Sequence, residues 1–192
     1  MTTTTSLVDP FGRSVNSLRI SLTQRCDFNC FFCHQEGENN PGTEMNPNEI
    51  EYIVKTASEL GIKKIKLTGG EPLVRKDVIE IVKRISPYVN EVSMTTNASM
   101  LKEKACELKR AGLKRVNISL HSLNPEIFKK ITCTNNELDI EAGIKAALNC
   151  GLRPIKLNTV VIKGLNSSMI KEHIEFAKNM GVILQLIEFQ AL

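Results

Sequence analysis

Three cysteines, Cys26, Cys30 and Cys33, stand in one compact segment, with three and then two residues between them. Soft thiolates select zinc, copper(I) or iron–sulfur clusters, and a cubane normally takes four cysteines, so a triad leaves one iron open to an exogenous ligand. An open iron can do chemistry. The alternatives are a zinc site completed by His34 or Cys106, or plain buried thiols. Zinc usually shows paired C-x2-C knuckles, whereas this chain has a single triad. Cys106, Cys133 and Cys150 are scattered through segments that read as helix or loop, so a disulfide framework is not expected. Six cysteines without a secretory signal point to a reducing cytoplasm.

A second segment of chemical interest is Leu67-Thr68-Gly69-Gly70-Glu71-Pro72. Paired glycines let the backbone approach a ligand closely, although four such residues alone also describe an ordinary turn. Placed at a strand end beside the triad, they gain meaning. The three histidines are assigned no catalytic work: His34 reads as structural, His173 as a surface residue, and His121 as a site-edge residue.

What must position these residues follows from the rest of the pattern. At 192 residues, 42% hydrophobic and 24% charged, the chain describes one soluble domain able to bury a real core. With no tryptophan, two tyrosines and a dispersed net charge of +4, it has no nucleic-acid footprint. No apolar run reaches the ~20 residues of a membrane span, and Met1 to Ser6 lack the apolar core of a signal peptide. The pairs Gly61-Ile62, Gly112-Leu113, Gly151-Leu152 and Gly181-Val182 each read as a helix stop followed by a strand entry. Strands are predicted over 18–22, 64–67, 89–95, 115–120, 155–162 and 183–189. Asn46, with Pro47 and Glu49, predicts a capped helix bearing the stripe Ile50, Ile53, Val54, Ala57 and Leu60. Asn124, Ser99 and Ser167 are read as further caps, the last opening a helix striped by Ile170, Ile174 and Ala177. Strand and helix alternate, which implies parallel strands joined by right-handed crossovers. Since an eight-unit barrel takes about 250 residues, this length corresponds to roughly six units. The expected fold is therefore α/β, a partial (β/α)6 TIM-like barrel, with active-site residues at the C-terminal strand ends.

Together the C-x3-C-x2-C loop and the Gly-Gly-Glu-Pro segment resemble the radical S-adenosylmethionine (SAM) superfamily. Further segments resemble its GTP 3',8-cyclase family, which opens molybdenum cofactor (molybdopterin) biosynthesis: Leu18-Arg19-Ile20-Ser21-Leu22-Thr23, Thr95-Thr96-Asn97, Asn117-Ile118-Ser119-Leu120, Lys156-Leu157-Asn158-Thr159-Val160 and Leu186-Ile187-Glu188-Phe189. The resemblance implies a 4Fe-4S cluster on Cys26, Cys30 and Cys33. It places S-adenosylmethionine near Phe32, Gly70, Ser119 and Gln190, and GTP near Arg19, Lys66, Thr95 and Lys156. It also implies a lyase that cleaves S-adenosylmethionine to a 5'-deoxyadenosyl radical and converts GTP to the 3',8-cyclic nucleotide, served by an electron donor and able to form a homodimer. Independently of family, Arg19 and Lys156 are expected near the ends of strands one and five, where cations meet phosphate. Lys66 replaces a usual arginine, Phe32 a common tyrosine, Gln190 a frequent methionine and His121 a common aspartate. Residues 1–192 are expected to form one radical SAM core with an N-terminal arm over 1–16, a fragment of a longer protein. In the family a second 4Fe-4S cluster lies in a further region, expected only in a longer parent chain. The competing readings are another radical SAM enzyme acting on a peptide or small metabolite, and a non-catalytic metal-binding scaffold.

Overall fold

The computed structural model describes residues 7–33, 43–134 and 139–190. His34 lies outside them. Six strands form one sheet: β1 (Ser17–Ser21), β2 (Lys64–Thr68), β3 (Glu91–Thr96), β4 (Leu113–Ser119), β5 (Ile155–Val161) and β6 (Ile183–Glu188). They lie side by side in chain order, and each neighbouring pair is parallel. The sheet is open, and the helices between its strands are α1 (Pro47–Glu59), α2 (Val78–Ile85), α3 (Leu101–Ala111), α4 (Pro125–Thr132), α5 (Ile140–Asn149) and α6 (Ile170–Met180).

Alternation along each strand divides the sheet into two faces. Ile65, Leu67, Val92, Met94, Val116, Ile118, Ile155 and Leu157 point one way and are buried. With Ile50, Val54, Ile81, Val82, Leu101, Leu108 and Ile144 from the helices they form the core, where each fully buried aliphatic chain contributes about 1.5–3 kcal/mol. The opposite face is polar, and it is described below. The glycines of the repeated helix stop adopt the left-handed conformation, with φ of +93° at Gly61, +111° at Gly112, +79° at Gly151 and +64° at Gly181. At Gly112 a Cβ would also collide with the Ser86 side chain, so glycine is required there twice over.

The capping box of α1 forms as expected, with the Asn46 side chain accepting from the N–H groups of Asn48 and Glu49 while Glu49 accepts from Asn46 N–H. Asn124 caps α4 with its side chain alone, accepting from the N–H groups of Glu126 and Ile127. Ser99 and Ser167 do not cap helices. Helix α3 starts two residues after Ser99, whose own N–H donates to Asn97, and Ser167 opens a 3-10 turn ahead of α6. The expected stripes are also only partly core: Ile53 on α1, Leu60 at its C-cap and Ile174 on α6 are exposed.

One pairing departs from expectation. Cys106 of α3 and Cys150, just past α5, form a disulfide, their Cα atoms 5.0 Å apart across 44 residues of sequence. Packing of α3 on α5 brings them together, which linear spacing could not reveal. The pairing also removes cysteine count as an argument about compartment. In the chain-entropy description, closing a 44-residue loop stabilises the fold by roughly 4 kcal/mol. Unfolding the protein without reductant is therefore expected to expose four titratable thiols of the six cysteines, and Cys106→Ser is expected to melt several degrees below the parent; six thiols and an unchanged melting temperature would contradict the pairing.

Candidate functional site

The triad follows β1 directly, and its loop is fixed at both ends. On the strand side Gly70 N–H donates to the Thr23 carbonyl at 2.7 Å and Glu71 N–H to the Arg25 carbonyl at 2.8 Å. A Cβ on Gly69 would strike the Thr23 backbone, and one on Gly70 the Arg25 carbonyl. The two glycines are thus required by close packing of the chain on itself beneath the triad. Arg75, 4% exposed, reinforces the same corner: its guanidinium donates to the carbonyls of Leu22 and Met45 and binds Asp77 with two hydrogen bonds. Arg25 pairs with Glu44, which also accepts from the Thr23 hydroxyl. On the far side Asn29 and Phe31 N–H donate to carbonyls at the end of α4, and Phe28 packs edge-to-face on Phe128.

The loop lies across the C-terminal ends of several strands. After β3, the Asn97 side chain reaches Asp27 and Cys26. After β4, His121 stands edge-on to Phe32 with ring centroids 4.9 Å apart, and after β6, Phe189 meets Phe31 at 6.4 Å. Burial pushes the Cys26 thiol up to about 11, and burial with the neighbouring cysteines pushes Cys30 up to about 12. Binding a metal there must displace protons. Among the described residues no three His, Cys, Asp or Glu side chains gather closely enough to hold a single metal ion.

Below the loop, strand register aligns polar residues on the face opposite the helices. Arg19, Lys66, Ser93 and Arg115 form one row, and Thr95, Asn117 and Lys156 the next. Ser119 and Asn158 follow, and Asn158 carries a buried, unpartnered side-chain oxygen. Arg115 is ion-paired with Glu91 at 2.9 Å and also donates to Asn117. Burial, helped by Arg19, Arg115 and Lys156, holds the Lys66 ammonium below its ordinary value. Cations set on four strands of one sheet face attract a polyanion.

The chain matches the radical SAM superfamily model over residues 20–177. It belongs to that superfamily. With membership come the superfamily's cofactors, a 4Fe-4S cluster and S-adenosylmethionine. Among curated proteins, the "Probable GTP 3',8-cyclase" of Thermococcus kodakarensis is 56% identical over 186 residues, covering 96% of this chain and 60% of that protein. Its namesake from Thermoplasma volcanium is 51% identical over 185 residues, covering 96% and 57%. The chain thus spans about three-fifths of the length of these relatives. Among solved structures, Streptococcus suis SuiB bound to S-adenosylmethionine superposes with a TM-score of 0.76 at 19% identity, covering 92% of this chain and 41% of that one. At that identity the likeness speaks for the fold.

Within this radical SAM fold several expected residues stand elsewhere than expected. Arg19 occupies the middle of β1 and Lys156 the second position of β5, so both lie deep on the polar face and not at the strand ends. Thr95 and Ser119 are at or beside strand ends on that face, and Gln190 lies exposed two residues beyond β6. His173, read as a surface residue, is 2% exposed, with Nδ1 against the Met169 carbonyl. His121 is likewise buried, and its Nδ1 accepts from Val160 N–H. Sequence reasoning missed Arg75 and Arg115. The polar period-two pattern of Arg115 and Asn117 was the available signal for the latter.

Glu71 is the hidden centre of the site. Its carboxylate, 1% exposed, accepts from the N–H groups of Leu73 and Asn97 and from the Thr96 hydroxyl. Burial outweighs these donors and raises its pKa to about 7. Removing an acceptor from buried donors costs about 1–3 kcal/mol for each one orphaned, so Glu71→Ala is expected to lose roughly 3 kcal/mol in chemical denaturation. A loss under 1 kcal/mol would show that the carboxylate holds nothing. Burial, aided by His173, lowers the His121 pKa to about 4. A depressed folded value means that stability is complete above the unfolded value near 6.5 and declines as pH falls toward 4, by up to ~3 kcal/mol. The melting temperature of the parent is accordingly expected to fall more steeply between pH 6.5 and 4.5 than that of His121→Gln, and parallel curves would refute it.

Proposed function

We propose that residues 1–192 are the radical SAM core of a GTP 3',8-cyclase, a lyase in which Cys26, Cys30 and Cys33 hold the 4Fe-4S cluster. The observation that carries the reading is the pair of polar rows beneath the triad loop, where Arg19, Lys66, Arg115 and Lys156 share one face of five parallel strands. A nucleoside triphosphate is the chemical complement of such a surface. The extent and identity of the likeness to the proteins named "Probable GTP 3',8-cyclase" point the same way.

The donor set fits the cluster, since three thiolates on one loop satisfy three irons and leave the fourth for an added ligand. When bound, cluster and S-adenosylmethionine supply a 5'-deoxyadenosyl radical able to take the ribose 3' hydrogen of GTP. The residues of this chain bind and orient. Phe32 offers an aromatic ring to adenine, and it is held in a T-shaped contact with the His121 ring. Gly70 and Ser119 flank S-adenosylmethionine, and Gln190 takes the place of a methionine contact. Lys66, Lys156 and Arg19 hold phosphate oxygens, Arg19 alone with a planar fork that can bind two at once. Thr95, level with Lys156 and Asn117, contacts the nucleotide. An electron donor, homodimer formation and a cytoplasmic site of action belong to the same proposal; among the described residues no helix is long and apolar enough to cross a membrane.

Anaerobic reconstitution is expected to load about four irons per chain, to release 5'-deoxyadenosine on reduction with S-adenosylmethionine, and to protect the protein against heat in the presence of GTP. Lys156→Met should abolish the thermal shift by GTP while leaving iron content unchanged. Stoichiometric zinc and no deoxyadenosine would overturn the enzyme reading. Deoxyadenosine release without any response to GTP would instead favour a radical SAM enzyme with another substrate.

A further inference from the structure

The β3–α3 turn is built more tightly than a connection requires. Asn97 N–H donates to the buried Glu71 carboxylate at 2.6 Å, and the Asn97 side-chain oxygen accepts from Ser99 N–H at 2.9 Å. Between them Ala98, 4% exposed, is held at φ +67°, a left-handed conformation that a residue with a Cβ adopts only when its surroundings impose it. The Ala98 N–H is taken by the Thr96 hydroxyl, which itself donates to Glu71. These contacts fix the Asn97 side chain and leave its amide nitrogen facing the triad loop. One of its hydrogens goes to the Asp27 carboxylate at 2.7 Å, and the nitrogen also lies 4.0 Å from Cys26 Sγ. The same sulfur accepts from Phe28 N–H at 3.4 Å.

Hydrogen bonds to cluster sulfurs stabilise the reduced, more negative state and so raise the reduction potential. We propose that Asn97 is a positioning residue of the cluster: its amide fixes the Cys26-Asp27 corner and donates to the Cys26 thiolate, holding the cluster's potential within reach of its electron donor. This rests on the reading that Cys26 is a cluster ligand. Glu71 acts one step further back, clamping the turn from which Asn97 reaches out.

Asn97→Ser tests it, because a serine hydroxyl can still accept from Ser99 N–H and preserve the turn but is too short to reach the sulfur. After anaerobic reconstitution, dithionite titration followed by EPR of the reduced cluster is expected to show the reduction equilibrium of the variant weakened roughly tenfold, which is 59 mV for one electron. Iron content and the melting temperature of the apo-protein are expected to match the parent. An unchanged potential in a variant with matched iron and stability would overturn the proposal. If Asn97→Ser unfolds, the parent decides in an Asn29→Ser background: with 15N in the asparagine side-chain amides, pulsed EPR of the reduced cluster without S-adenosylmethionine should detect nitrogen coupling, and its absence would defeat the idea. If the parent itself takes up no cluster, the ligand assignment has failed, a result distinct from a cluster of unaltered potential.

Discussion

The Glu71 carboxylate is the interaction on which the site depends. Backbone hydrogen bonds set the register of parallel strands, but past the last bonded residue they no longer dictate where the loops go. Glu71 supplies that dictation. It leaves β2 and accepts from the backbone beyond β3, while its own N–H holds Arg25 in the run toward the triad. Three connections that belong to different βα units are thereby joined at one buried point. Such a group is expensive in low dielectric unless every lone pair is used, which is why two backbone donors and a hydroxyl converge on it.

A similar economy of placement governs charge. The helix-facing side of each strand is aliphatic, so the cations have only the other side, and register brings Arg19, Lys66 and Arg115 level with one another. Their mutual repulsion is relieved locally at Arg115 by Glu91. Arg19 and Lys66 leave the rest of that row positively charged. The sheet's polar face thus divides in two, with the cysteine triad loop at the strand ends and the charge deeper on the strands.

Much of this was legible from residue order. Helix stops at glycine, strand entries and the Asn46 and Asn124 caps depend on a few neighbouring residues, and local rules captured them. Ser99 misled because serine both caps helices and sits in tight turns, and the turn at Ala98 was settled by Glu71 from another unit. His173 looked superficial on a helix with exposed neighbours, yet it faces inward against Met169. The Cys106–Cys150 disulfide and the inward reach of Arg75 rest on contacts between segments 44 and 53 residues apart. Pattern within a short window carries no record of such distances.

The strand order has a consequence for how the protein comes into being. Because neighbours in the sheet are also neighbours in the chain, each βα unit leaving the ribosome finds its docking partner already laid down, and no early strand waits for a late one to be inserted beside it. The triad loop is the exception. It emerges among the first residues, but its companions at Asn97, His121, Thr132 and Phe189 are synthesised progressively later. The thiols are therefore made first and seated last, and the loop that carries them gains its final ring contact only once the last strand has joined the sheet.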